Sequence, residues 1–540
     1  MIWRLGAIAI AALVALPLLG VASSLLTWQG DMWRHLAETQ LASIAFNTVV
    51  LLVGVGVGTV VIGTGTAWLV TMHRFAFSRT LEWALLLPMV MPTYIIGYAY
   101  ADLTAYAGPL QGTLRAPTGW KRGDYWFPEP ASAGGVAVLF TLVLYPYVYL
   151  AARAAFLAQS QSLLEASRIL GQGPWRTFLG VGLPLARPAV AAGTTLALLE
   201  ALADFGTVQY YGVQTFTTAI YRTWYGMGNR DGAAQIAVAL LAIAIVLFLI
   251  ERRSRGRARF HISSSLRESP HPTDLTGWRA PLAALFCTLP ILLGFALPVA
   301  HLVQLSLRAG ASFAPNLFLR DALHSLVLAT IAAAAIVTLG IFLAYAGRLV
   351  RRRAFNRMIE LASLGYAIPG AIIAVGILLP LAIADRALDQ AGMRLFGLST
   401  GLLLSGTAFA LVLAYIVRFL AVGIANVGPG LAAIDPAMDA SAQILGARPS
   451  QILRRIHLPM LRGPTLTAAI VAFVEVLKEL PATLLIRPYN FDTLAVGVYR
   501  FASDERLAEA AVGALAIVAA SLVPVILLSR AISTSSRRGP

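Results

Sequence analysis

Four carboxylates interrupt segments that are otherwise apolar: Glu200 and Asp204 in LALLEALADFG, and Glu475 and Glu479 in VAFVEVLKELP. The members of each pair stand four positions apart and so share one helix face. Ionisable groups at such depth are candidates for a translocation path rather than for bond-breaking chemistry. Hard cations prefer oxygen ligands, and Tyr210, Tyr211, Tyr221 and Tyr225 follow the first pair. Lys478, three residues after Glu475, is placed to neutralise it in part. The competing structural reading has these acids capping helix ends, pairing with arginines such as Arg222 or Arg487, or sitting in an outer loop. No metal site is assigned from the sequence.

The elements that must position these acids are membrane helices. The chain has 540 residues, 58% hydrophobic and 12% charged, with mean hydropathy +0.75. Soluble domains carry about 25% charged residues, so an ordinary soluble protein is excluded. Roughly twelve apolar runs are long enough to span a bilayer: 5–26, 43–70, 81–101, 134–157, 188–205, 233–250, 281–305, 322–347, 358–384, 401–425, 464–486 and 509–529. Helices are required there, because lipid offers the backbone no hydrogen-bond partner. The first run resembles a signal peptide, with Arg4 ahead of an apolar stretch and Ala22-Ser23 after it. An even helix count favours an uncleaved first span. Cys287, the single cysteine, lies inside a run and reads as helix filler. The net charge of +16 is mostly topological. Basic clusters at Arg252–Arg259 and Arg348–Arg357 fall on one side, predicting both termini in the cytoplasm. Nucleic acid is not an expected partner.

The chain repeats itself. Glu165 to Pro184 reads EASRILGQGPWRTFLGVGLP and Ala440 to Pro459 reads ASAQILGARPSQILRRIHLP, with Gly171 and Gly446 standing 275 positions apart. Glu200/Asp204 align with Glu475/Glu479 at the same offset, and Ala67-Trp68 and Pro92 match Ala344-Tyr345 and Pro369 at 277. This predicts a duplicated domain: residues 1–250 and 280–540, six spans each, joined by a cytoplasmic connector over 251–279 rich in Arg, Ser and Pro. An even number of spans makes the halves parallel repeats. Each signature predicts a short surface helix, with Glu165 in an early turn, a glycine turning the chain out, and Leu-Pro restarting the next span. Such a helix fits a partner's groove, with Ile169, Leu170, Ile444 and Leu445 as anchors. The alternative is an amphipathic helix that only borders the membrane.

The doubled signature resembles the hallmark of the membrane permeases of binding-protein-dependent ABC importers: E-A-A, three residues, Gly, nine residues, Ile, one residue, Leu-Pro. The first copy matches through Glu165, Ala166, Ser167, Gly171, Val181, Leu183 and Pro184. The second matches through Ser441, Ala442, Gly446, Ile456, Leu458 and Pro459, but Ala440 replaces the glutamate and Asp439 stands one residue early. The resemblance implies an all-α polytopic protein of the type I ABC importer (MetI-like) permease fold, in a bacterial inner membrane. It further implies coupling loops over 158–187 and 426–463, seated on two cytoplasmic ABC ATPase subunits, and a periplasmic substrate-binding protein outside. ATP would be used by those partners, with no cofactor bound by this chain. Lys121 and Lys478 are the only lysines, and neither follows a glycine or precedes Ser/Thr, so no Walker A loop is present and no enzyme activity is expected here. Segments 203–234 and 478–505 resemble fused ferric iron permeases. Thiamine, sulfate, polyamine and phosphonate permeases share much of the pattern, and an ATP-independent secondary transporter is the rival class.

Overall fold

The computed structural model describes residues 2–537 except 122, 160, 256–271, 311–312 and 351. Among the described residues ten helices are long and apolar enough to cross a membrane, and two bent helix pairs raise the number to as many as twelve. Ten of the twelve anticipated runs correspond to continuous helices of this kind, and the runs 81–101 and 464–486 fall on the two bent pairs. Ser78–Val90 and Thr93–Thr118 meet at 89°, where Pro88 and Pro92 remove backbone donors and Met91 is held extended ahead of Pro92. Pro449–Met460 and Arg462–Leu477 meet at 79°.

Two spans lie later in the chain than hydropathy suggests. The expected run 358–384 is occupied first by a short helix, Arg353–Ala362, and the long helix Gly370–Phe396 starts only after Pro369. That proline forces Ile368 into an extended conformation, at φ −91° and ψ 123°, and so delays the helix. The run 401–425 becomes Ala408–Ala432. Among the described residues the only β pairing is a two-residue parallel bridge, His73 with Thr273 and Arg74 with Asp274. It ties the far end of the connector to the loop after Leu41–Met72. Most of the connector, 256–271, lies outside the described residues.

The chain forms two compact units that differ in membership from the two sequence halves. One unit gathers Met1–Arg34, Ala219–Leu241 and Phe313–Arg500. Within it Ile2–Ser23 packs on Gly370–Phe396 so closely that a Cβ on Gly20 would stand 2.1 Å from the Gly376 carbonyl oxygen. Small residues are what allow such contact where apolar burial gives no advantage over lipid. Pro315–Val350 lies against Ala408–Ala432 and Arg462–Leu477 in the same unit. The other unit gathers His35–Thr218, Ala242–Ser312 and Phe501–Pro540. Its centre is Leu41–Met72 against Ala133–Leu157, with Leu183–Ala203 packed on both, and Leu297–Ala309 pairs with the helix Leu507–Arg537.

Candidate functional site

Both signatures fold into short helices, Gln161–Ile169 and Pro436–Ile444. Each ends on its glycine in a left-handed conformation, φ 76° at Gly171 and 80° at Gly446. The next residue then donates back across the turn: Gln172 N to Ser167 O at 3.1 Å, and Ala447 N to Ala442 O at 3.0 Å. This is a Schellman closure, and it gives the spacing shared by the two copies a physical reason. No atom lies within 4 Å of a Cβ built on either glycine, so backbone conformation rather than space requires glycine there.

The Leu-Pro pair does not restart the span, contrary to expectation. Helix resumes three residues after each glycine, at Pro174 and Pro449. A π turn then follows, Phe178–Gly182 and Leu453–His457, immediately before Leu183-Pro184 and Leu458-Pro459. The wider turn gives room to a proline that lacks an N–H and would crowd the preceding carbonyls. The same device precedes Leu297-Pro298, at Leu292–Ala296.

The presumed anchors face outward: Ile169 is 85% exposed, Leu170 80%, and Ile444 and Leu445 both 86%. Glu165 and Ala166 are exposed beside them, while Ser167 is buried and bonds Thr177 Oγ1 at 3.1 Å. Ser441 is exposed and Ala442 buried at the matching positions. Pro184 and Pro459 are exposed, and Leu183 and Leu458 half-buried. Glu165 sits in the middle of its helix, not in an early turn, because the helix begins at Gln161. Asp439 is in the first turn of its helix, and Asp435 caps that helix through Ala437 N.

Asp439 is turned inward. Its two oxygens accept from Arg348 Nε and meet His457 Nε2, each at 2.7 Å. Partial desolvation raises the Asp439 carboxyl, but the hydrogen bonds from Arg348 and His457 outweigh it and hold the group below the usual carboxylate range. His457 is fully buried in the π turn.

The four apolar-segment acids divide into two kinds. Asp204 and Glu479 are buried where a long helix ends, at Ala203 and Leu477 with its cap. Asp204 accepts from Thr207 N at 3.0 Å, Val208 N at 3.2 Å and Thr93 Oγ1 at 2.7 Å. Glu479 accepts from Ala482 N at 2.8 Å, Thr483 N at 3.0 Å and Arg418 Nη1 at 2.9 Å. Each caps the short helix that follows, Gly206–Tyr210 or Pro481–Ile486, so the interrupted backbone is satisfied in an apolar setting. Glu200 and Glu475 are half-buried on the preceding turn, with Glu475 paired to Lys478 at 2.8 Å.

Arg487, an anticipated partner of these acids, pairs with Asp492 instead. Three of the four tyrosines place their hydroxyls on backbone carbonyls: Tyr211 on Gly97, Tyr221 on Pro481 and Tyr225 on Leu484. Tyr210 packs tilted against Tyr98, with ring centroids 4.9 Å apart. Sequence reasoning missed Thr93, Gly370 and Arg418. The available signal was Arg418 itself, a lone cation in LVLAYIVRFLAV, where no charge belongs without a partner.

The family of binding-protein-dependent transport system inner membrane components matches the chain twice, over residues 59–259 and 336–538. The chain is 27% identical to the Fe(3+)-transport system permease protein FbpB 2 of Haemophilus influenzae, covering 92% of this chain and 91% of that protein. It is 23% identical to the ferric transport system permease protein FbpB of Actinobacillus pleuropneumoniae, over 84% of this chain and 66% of that one. It is also 30% identical to the molybdenum transport system permease protein ModB of Escherichia coli, which covers 36% of this chain and is itself covered to 85%. Together with the two signature loops, two matches spanning most of the chain establish that it belongs to the family of binding-protein-dependent transport system inner membrane components, in a fused two-domain form.

Proposed function

We propose that this chain is the transmembrane permease of a binding-protein-dependent ABC importer and that its cargo is ferric iron. The observation that carries the reading is the pair of short helices, each closed on a left-handed glycine and presenting two nearly fully exposed aliphatic side chains at matching positions. Exposed Ile-Leu pairs on a rigid turn suit insertion into grooves on two partners, here the cytoplasmic ABC ATPase subunits. These subunits bind and hydrolyse ATP, and the permease answers by alternating access. A periplasmic substrate-binding protein delivers cargo on the other side, and both termini lie in the cytoplasm of a bacterial cell bounded by this inner membrane. Ferric iron is favoured over molybdate because the ferric relatives align along nearly the whole chain, whereas the molybdenum relative aligns with about a third of it.

The coupling loops offer the first test. In Gly171→Val and Gly446→Val the β-branched residue is forced into a left-handed conformation, at about 1–2 kcal/mol or more each, and its side chain points into open space. Pull-down with the cognate ATPase should fall at least tenfold for the double variant while the chain still inserts. Undiminished ATPase capture would remove the docking role from these helices.

A further inference from the structure

The two coupling helices are seated by different chemistry. Leu164, one turn before Ser167, is buried in the first. Trp68 packs edge-on to Phe156 at 5.2 Å and tilted against Phe178 at 5.0 Å, the residue after Thr177. Gly182 makes that possible, since a Cβ there would lie 2.5 Å from the Trp68 ring. The aligned positions in the second copy are Asp439 for Leu164, Tyr345 for Trp68 and His457 for Gly182. Tyr345 packs edge-on to His457 at 5.3 Å and donates its hydroxyl to Pro449 O at 2.8 Å. Asp439 bridges His457 and Arg348, and Arg348 Nη1 also donates to Leu431 O at 2.7 Å and Ile434 O at 2.9 Å. One guanidinium thus joins the Pro315–Val350 helix, the carbonyl end of Ala408–Ala432, the coupling helix and, through the imidazole, the helix that resumes after it.

From this three-membered polar bridge, which stands where the first copy has Leu164 and Gly182, we propose that Arg348, Asp439 and His457 act as a clamp that positions the second coupling helix. The acid at 439 works inside the chain and does not replace the missing carboxylate at 440 toward the ATPase. The body of helix Pro436–Ile444 then presents no carboxylate outward, while Gln161–Ile169 presents Glu165. The two ATPase contacts differ accordingly: one carries an acid, and the other rests on Ile444 and Leu445. This rests on the ABC-permease reading for its functional half, and on the chain alone for its structural half.

The test compares Asp439→Asn, Glu165→Gln, Asp439→Leu and the triple Tyr345→Trp, Asp439→Leu, His457→Gly, which installs the first copy's set. In the chain alone, amide exchange over 436–447 should accelerate in Asp439→Asn and Asp439→Leu and slow again in the triple. In the complex with its ATPase subunits, Asp439→Asn should leave ATPase affinity within about twofold and lower uptake per ATP by about tenfold. Glu165→Gln should weaken affinity. Unchanged exchange in Asp439→Asn, or a loss of affinity matching that of Glu165→Gln and not recovered in the triple, would overturn the clamp. Failure of the unaltered chain to bind any ABC ATPase would instead sink the importer reading and leave the exchange result standing.

Discussion

At the two interrupted helices the same problem is solved twice with different groups. In one unit Asp204 is held by a hydroxyl, Thr93, and in the other Glu479 is held by a guanidinium, Arg418. The alignment places Gly370 where Thr93 stands and Val143 where Arg418 stands. The ion pair occupies the space a side chain would take: a Cβ on Gly370 would lie 2.1 Å from Arg418 Nη1 and 2.9 Å from Glu479 Oε1. Thr-Val-Asp and Gly-Arg-Glu are therefore alternative, internally consistent sets. At both places the break is capped by a carboxylate, and the two carboxylates are held by different donors.

That comparison can be broken by mixing the sets. Arg418→Met leaves Glu479 buried with backbone and hydroxyl donors only, and should cost about 3–5 kcal/mol, read as a lowered unfolding midpoint in detergent. A midpoint unchanged by this substitution would mean that the ion pair does not hold the break. Gly370→Thr forces the first set's residue onto Arg418 and should cost about 1–3 kcal/mol. The triple Gly370→Thr, Arg418→Val, Glu479→Asp should recover at least half of that loss, and a triple worse than the single variant would refute the equivalence of the sets. Thr93→Val removes one hydrogen bond to a carboxylate and should cost about 1.5 kcal/mol. The smallest effect is expected for Lys478→Met: its pair with Glu475 is partly exposed, at 20% and 12% of the two side chains. The same midpoint assay should register a change of no more than about 1 kcal/mol.

Much of this arrangement was legible in the sequence, for reasons that also mark where legibility ended. Spans follow from hydropathy because lipid leaves the backbone no alternative to helix. The signature glycines were recognisable because a left-handed residue after a short helix has a fixed address relative to it. The role of Asp204 and Glu479 was visible only as one of two readings, since an acid in an apolar run looks the same whether it lines a path or caps a broken helix. Arg418 and Glu479 are 61 residues apart, and their meeting depends on the absence of a side chain at Gly370, which no periodicity reports. The π turns ahead of Leu-Pro were hidden for a similar reason. Proline announces a helix start or a kink with equal force, and the packing around it decides. Unit membership was the least legible feature. The first span of each sequence half belongs to the unit built from the other half's later spans, and the family matches begin only at residues 59 and 336, after those first spans.

Ferric iron should cross through this chain only when ATPase subunits drive it. The most direct measurement is uptake of labelled iron into proteoliposomes containing the chain, its ATPase partner and its binding protein, with labelled molybdate run in parallel. Iron should accumulate only with ATP and all three components present, with molybdate left at background. Accumulation by the chain alone without ATP, or ATP-dependent uptake of molybdate but not iron, would contradict this.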